Sequence, residues 1–245
     1  MVNIVFPELA RWNITSTDRR WKRNIDRLWE GLRTIVEDRQ AEIDRSGDKY
    51  CDLLAILMQM EDYKDDREKI YHELYSFFAA GMITIQYTTL NLIYYLTRYP
   101  EYKEKFLAET EPVMRKASDD VVNKLDYETV QDFHYLKCCY QESLRLETPA
   151  PISFHSTVTQ TTSIGGPGVP TLTIEPGTIV LVIAEEVHKD PTEWRDPHTF
   201  NPTRFDTNLE DNEMLLRPDG RPRNPMSFNA FSGGRRICLG KTFSE

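Results

Sequence analysis

The residues with the clearest chemical potential are a cysteine and its neighbours near the end of the chain. The pattern F-x-x-G-x-R-x-C-x-G is matched at all its fixed positions by Phe231, Gly234, Arg236, Cys238 and Gly240. A chance match in such a chain has a probability on the order of 10⁻⁴. A helix beginning just after Cys238 would supply peptide N–H groups and a favourable dipole, so this loop could stabilise a metal-binding thiolate. The alternative is an inert buried thiol, which is common for a lone cysteine.

Further upstream, two segments contain charged residues at informative positions. Glu142 and Arg145 lie three residues apart in a helical pattern, so they face the same side of the helix. Taken alone they could form an exposed ion pair, worth only about 0.2–0.5 kcal/mol. Arg204 lies in the later sequence Asp-Pro-His-Thr-Phe-Asn-Pro-Thr-Arg-Phe. In the long helical pattern before them, Thr84 could order a water molecule or bond to a carbonyl of its own helix.

The elements that must position these residues are mostly helical. Apolar residues at three- and four-residue steps predict helices, and proline ends the longest of them. Alternating residues with Gly and Pro punctuation then predict strands and hairpins, followed by a polar stretch without periodicity. We predict helices over 18–43, 66–99, 101–116 and 135–147, an apolar segment over 53–58, strands within 152–183, an irregular stretch over 206–225, and a helix just after Cys238.

Composition narrows the classes of protein. The 245 residues include 39 acidic and 30 basic side chains, and the net charge of −9 argues against a nucleic-acid partner. The four cysteines form no C-x-x-C pair, so neither a disulfide framework nor a zinc ribbon is indicated, and a reducing compartment is expected. The sequence also predicts no secretory signal and no membrane span.

Taken together and in order, these motifs resemble the cytochrome P450 family of haem-thiolate monooxygenases. The resemblance implies that Cys238 is the axial ligand to the iron of haem b, with Phe231 shielding its sulfur. It implies that Gly234 lets the loop approach the flat macrocycle, and that Arg236 pairs with a haem propionate. His155 falls in a strand position where the family often places a side chain that reaches a propionate. A satisfied structural histidine is the alternative there.

The same resemblance assigns roles to the other residues. Glu142, Arg145 and Arg204 would form a buried network that ties a helix to the segment before the cysteine loop and supports the thiolate structurally. Thr84 would belong to the family's oxygen-activation motif, although Ile83 stands where an acid is usual. That departure puts proton delivery in doubt and leaves haem ligation unaffected.

The resemblance also implies a fold and an organisation. We expect a mainly α fold with a small β region, similar to cytochrome P450 but truncated at both ends, so that residues 1–245 form a partial domain. Its helical part would cover about 15–148, a β-hairpin and meander region about 150–230, and the cysteine haem-binding loop 231–240.

The implied function is a monooxygenase that inserts one oxygen atom from dioxygen into a small apolar organic substrate. Electrons would come from an NADPH-dependent flavoprotein reductase. A missing N-terminal anchor would hold the full-length protein on the cytosolic face of the endoplasmic reticulum membrane. Two alternatives remain open: a haem-thiolate isomerase or dehydratase that needs no external electrons, which the acid missing at Ile83 favours, and a non-catalytic fragment.

Overall fold

The computed structural model describes residues 15–46, 52–117, 127–152, 156–166 and 168–245. The chain forms two compact units, Met1–Met82 and Ile83–Glu245. Helices predominate in the described residues, and the strands there form two small two-stranded sheets. The prediction of a mainly α fold with a small β region is therefore confirmed.

The first unit contains helix α1 (Ser16–Ser46), helix α2 (Leu53–Gln59) and the beginning of helix α3 (Arg67–Arg98). The apolar stripe of α1 provides a buried core residue, Val36, which clusters with Leu54, Ile70 and Tyr71. Helix α2 begins after Asp52, whose side chain accepts a hydrogen bond from the Ala55 N–H at 3.0 Å. Helices α1 and α3 agree with the predicted segments to within three residues at each end.

In the second unit, helix α3 is followed by helices α4 (Pro100–Ala117), α5 (Tyr127–Gln131) and α6 (His134–Leu146). The start of α6 is held by Glu109, whose two carboxylate oxygens accept from the backbone N–H groups of Tyr135 at 2.7 Å and Leu136 at 2.8 Å. A side chain from another helix thus satisfies N–H groups that α6 cannot pair internally.

An aromatic and aliphatic cluster fixes α6 against α3. Leu96, Cys139, Leu146 and Phe200 are its buried members. The ring of Phe200 stacks on Tyr95 of α3 with centroids 4.6 Å apart. Because Phe200 lies beyond the strands in sequence, this cluster also brings the later irregular segment to the helix that carries Glu142 and Arg145.

The strands of both sheets lie in sequence between helix α6 and the irregular segment that contains Phe200. Strand β1 (Ser156–Thr157) pairs with β4 (Ile179–Val180), and β2 (Thr162–Gly166) pairs with β3 (Val169–Ile174), both antiparallel. The turn between β2 and β3 contains Gly168 at φ +80°, a conformation that favours glycine.

After β4 the chain is mostly irregular. Helix α7 (Ala184–Val187) is followed by 3₁₀ turns at Pro202–Phe205, Glu213–Leu215, Pro225–Ser227 and Gly234–Arg236, and by helix α8 (Lys241–Ser244). The last helix begins two residues later than the prediction of a start directly after Cys238. No helix in the described ranges has both the length and the apolar character that crossing a bilayer requires.

Candidate functional site

The carboxylate of Glu142 lies at the centre of a buried ionic network. Glu142 and Arg145 are 0% exposed and Arg204 is 1% exposed. Arg145 donates from Nε to Glu142 Oε2 and from Nη2 to Oε1, both at 2.8 Å, while Arg204 Nε donates to Oε1 at 3.0 Å. The backbone N–H of Asn201 donates to the same Oε1 at 2.9 Å. An exposed ion pair, which the sequence left open, is therefore excluded for Glu142 and Arg145.

The two guanidinium groups also bind main-chain carbonyls of the irregular segment. Arg145 Nη1 donates to the carbonyls of His188 at 2.8 Å and Pro197 at 2.7 Å. Arg204 donates from Nη2 to the carbonyl of Asp196 at 2.8 Å and from Nη1 to the carbonyl of Arg195. Since this segment has little regular secondary structure, side chains supply hydrogen bonds that a sheet or helix would otherwise provide.

A third guanidinium, which the sequence motifs did not indicate, completes the network. Arg223 Nη2 donates to the Arg204 carbonyl at 2.7 Å, and its guanidinium carbon lies 4.1 Å from the centroid of the Trp194 ring. Arg145 lies 5.0 Å from the same centroid. Burial and the nearby Arg204 charge lower the pKa of Arg223 to about 10. Glu142 is thus the carboxylate that both Arg145 and Arg204 bind directly.

His188 connects the network to the cysteine loop. Its carbonyl accepts from Arg145, and its ring Nε2 accepts from the Asn229 N–H at 3.0 Å. The Asn229 carbonyl in turn accepts from the Ser232 N–H at 2.8 Å. Because Nε2 accepts, the neutral ring carries its proton on Nδ1. His188 lies in the sequence His-Lys-Asp-Pro, but nothing in that sequence indicates the contact with Asn229, which is 41 positions away.

His188 should make stability depend on pH. The ring is fully buried, and burial, with a further contribution from Arg145, lowers its pKa to about 4. The unfolded chain takes up the proton near pH 6.5, so the folded state loses about 3 kcal/mol as the pH falls from about 6.5 to about 4. Urea unfolding of the native chain and of His188→Gln across this pH range measures the effect. The free energy of unfolding should fall less in the variant than in the native chain.

The matched control for this prediction is His198→Gln, because His198 is an exposed histidine of the same segment. That variant should keep the pH dependence of the native chain. An unchanged dependence in His188→Gln would contradict a buried neutral imidazole.

The cysteine loop is a compact turn held by its own backbone. The Cys238 N–H donates to the Phe231 carbonyl at 2.9 Å, and the Ile237 N–H donates to the Gly234 carbonyl at 3.2 Å. Gly234 has φ +64°, where side chains are strained, which explains a glycine at this place. The Cys238 thiol is exposed, while Phe231 is half-buried and Arg236 is exposed. Cys238 is therefore not a buried thiol, while its role as a ligand stays a prediction.

The remaining predicted residues lie apart from this loop in sequence. Thr84 is half-buried in the middle of helix α3, and its carbonyl accepts from the Thr88 hydroxyl at 2.9 Å. The neighbouring Ile83 is 61% exposed. His155 lies outside the described residues, so its predicted role stays a prediction. Among the predicted site residues, Glu142, Arg145 and Arg204 are thus the ones that the structure shows in direct contact with one another.

Comparisons with known proteins show which family the chain resembles. Rat (Rattus norvegicus) cytochrome P450 4F5 is 26% identical over 94% of this chain and 43% of its own length. Human (Homo sapiens) cytochrome P450 4F2 is 26% identical over 94% of this chain and 44% of its own length. Mouse (Mus musculus) leukotriene-B4 omega-hydroxylase 3 is 25% identical over 98% of this chain and 45% of its own length.

The chain therefore spans less than half the length of these curated relatives. The sequence model of one family, cytochrome P450, matches residues 1–245, which is the whole chain. Since both the family model and the relatives match nearly all of it, the chain belongs to the cytochrome P450 family.

Proposed function

We propose that this chain is the haem-bearing part of a monooxygenase that inserts one oxygen atom from dioxygen into a small apolar organic substrate. The observation that carries the proposal is the exposed Cys238 thiol, presented by a backbone-bonded loop in a member of the cytochrome P450 family. The family implies a haem cofactor, and we propose haem b. One mouse relative is named as an omega-hydroxylase of leukotriene B4, and hydroxylation is an insertion of one oxygen atom.

The surroundings of Cys238 fit a flat, largely apolar group with acidic edges. Ile237, Leu239 and Phe243 are 47%, 83% and 82% exposed beside the thiol, and a bound macrocycle would remove part of this apolar surface from water. The exposed Arg236 would pair with a propionate through charge-assisted hydrogen bonds. Gly234, without a side chain, leaves the backbone open to close approach.

Each residue then has a defined task. The haem supplies, when bound, the iron chemistry that activates dioxygen. Cys238 Sγ would bind the iron as a thiolate and donate electron density to it. Thr84 would hold a water molecule or donate a hydrogen bond on the oxygen side, and Phe231 would shield the sulfur. Glu142, Arg145 and Arg204 would keep the preceding segment in place, with a structural role.

The partners follow from the same proposal. An NADPH-dependent flavoprotein reductase would deliver the electrons. Apolar side chains near Thr84 on helix α3, including the exposed Phe78 and Met82, favour an apolar substrate. We place the full-length protein at the cytosolic face of the endoplasmic reticulum membrane.

A labelled-oxygen assay tests the function. The haem-loaded chain is incubated with NADPH, a flavoprotein reductase and leukotriene B4 under ¹⁸O₂, and the products are analysed by mass spectrometry. A monooxygenase should place one labelled atom in the product, only when both NADPH and reductase are present. Absence of labelled product would contradict monooxygenation of leukotriene B4 by this chain.

The exposed Ile83 favours a second candidate, an isomerase or dehydratase, because the family's usual acid is missing beside Thr84. Such an enzyme would convert its substrate without reductase. In the labelled-oxygen assay, Ile83→Asp should raise the product formed per NADPH consumed if Thr84 relays protons. An unchanged ratio would contradict that role for Thr84.

A further inference from the structure

A second group of metal-binding side chains lies away from the cysteine loop in sequence. His134, Cys138 and Asp206 each offer one donor atom, and the three donor atoms lie within 4.8 Å of one another. His134 Nε2 is 2.8 Å from Asp206 Oδ1 and 3.7 Å from Cys138 Sγ. One ring nitrogen therefore faces both a carboxylate oxygen and a sulfur.

Hydrogen bonds alone do not explain why Asp206 Oδ1 and Cys138 Sγ both lie close to His134 Nε2. The Nε2 atom of an imidazole has one site, which either carries a proton or accepts one, so it cannot make good bonds to both neighbours at once. A single cation between the three atoms would satisfy all of them. Ligand atoms that share a tetrahedral zinc ion lie about 3.3–3.7 Å apart, given metal–ligand distances of about 2.0–2.3 Å. His134 Nε2 and Cys138 Sγ already have this spacing, whereas His134 Nε2 must move about 0.5 Å away from Asp206 Oδ1. The Cys138 and Asp206 donor atoms, which lie within 4.8 Å of each other, must lie within about 3.7 Å when zinc is bound.

The fold holds the three donors in place. His134 and Cys138 lie one turn apart on helix α6, so their side chains share a face. Asp206 follows the 3₁₀ turn that contains Arg204, whose contacts with Glu142 tie that turn to α6. The Asn208 N–H donates to Asp206 Oδ1 at 3.0 Å, and Asn212 Nδ2 donates to its carbonyl at 2.8 Å. The first contact orients the Asp206 carboxylate, and the second holds its main chain.

The donor chemistry selects the kind of ion. Calcium and magnesium prefer oxygen ligands, whereas nitrogen and sulfur donors favour zinc-like transition metals. The His134 side chain is 34% exposed, which gives an entry path, while Asp206 is 10% exposed. We propose that His134, Cys138 and Asp206 bind one zinc ion, with water in the fourth position, and that this ion clamps helix α6 to the segment after Arg204.

Zinc binding at this site releases a proton and leaves every oxidation state unchanged. Zinc forms a bond to Cys138 Sγ, the S–H bond breaks, and the thiol proton passes to solvent. No electron is transferred. The thiolate and the Asp206 carboxylate together neutralise the ion, and the histidine binds as a neutral ligand.

Zinc K-edge X-ray absorption on the purified full chain tests the site. After incubation with zinc and dialysis, the native chain should retain one zinc ion per chain with one sulfur neighbour at about 2.3 Å. Cys138→Ser should lose the sulfur neighbour. His134→Ala and Asp206→Asn should each lower the zinc affinity more than about 10-fold, measured by competition with a chromophoric chelator.

The adjacent Cys139→Ala is the matched control, because Cys139 is equally buried but packs in the apolar cluster with Leu96 and Phe200. It should keep the zinc–sulfur signal. If Cys138→Ser fails to fold, the zinc affinity of Asp206→Asn and the X-ray absorption spectrum of the native chain still test the site. A native chain that retains no zinc, or a sulfur signal that disappears in Cys238→Ser instead, would overturn the proposal.

Discussion

Cys238→Ser should abolish the strongly red-shifted Soret band that ferrous, thiolate-ligated haem shows with carbon monoxide. The reason is that Cys238 is the exposed thiol among the described cysteines, whereas Cys138 and Cys139 are buried. The measurement is the optical spectrum of the haem-reconstituted chain after dithionite reduction and carbon monoxide.

The matched control is Cys138→Ser, which makes the same change at a buried thiol and should leave the band unchanged. This pair also separates the two proposed metal sites, because the haem band should follow Cys238 and the zinc–sulfur signal should follow Cys138. A red-shifted band that survives in Cys238→Ser would contradict the assignment of the axial ligand.

Glu142→Gln should lower the free energy of unfolding by about 3–5 kcal/mol, because it leaves buried positive charge without its partner. Arg145 and Arg204 both bind this carboxylate directly, and Arg223 lies in the same cluster. Glutamine keeps the shape and one acceptor oxygen, but its NH2 group faces an N–H donor that the second oxygen of Glu142 accepts from, so the loss includes the missing charge and a lost hydrogen bond. Urea unfolding of the two chains at neutral pH measures the difference.

The same substitution at Glu185 provides the control. Glu185 pairs with Lys189 at 2.7 Å, but its side chain is 44% exposed. Removing this pair should cost no more than about 0.5 kcal/mol. Equal losses at Glu142 and Glu185 would show that the buried network contributes no more than a surface pair.

Much of the helical part of the fold could be predicted from the sequence. Apolar residues at helical spacing predicted helices α1 and α3, and α1 buries such residues at Leu32 and Val36. Motif order predicted which residues form the network, since Glu142, Arg145 and Arg204 occupy fixed positions in two recognisable segments. Burial of the pair could not be predicted from its spacing, because exposed and buried pairs share the i,i+3 pattern.

Contacts between distant irregular segments were beyond sequence reasoning. His188 contacts Asn229, and Arg223 contacts Arg204 and Trp194, but these residues lie in stretches without periodicity. The same is true of Asp206, which meets His134 across 72 positions. Local patterns predict local elements, while such contacts depend on how the whole segment folds back on helix α6.

The hydrogen bonds from Arg145 and Arg204 to the irregular segment affect which of its residues can be substituted. Both side chains bind main-chain oxygens there, which every amino acid carries. Asp196 and Thr199, whose carbonyls they bind, have exposed side chains. Substitution at these two positions can alter the surface without removing an acceptor, although Asp196 at φ +43° restricts the choice to residues that tolerate this conformation. The two arginines thus hold the main chain at these positions whatever side chain stands there, so the outer surface can change while these contacts persist.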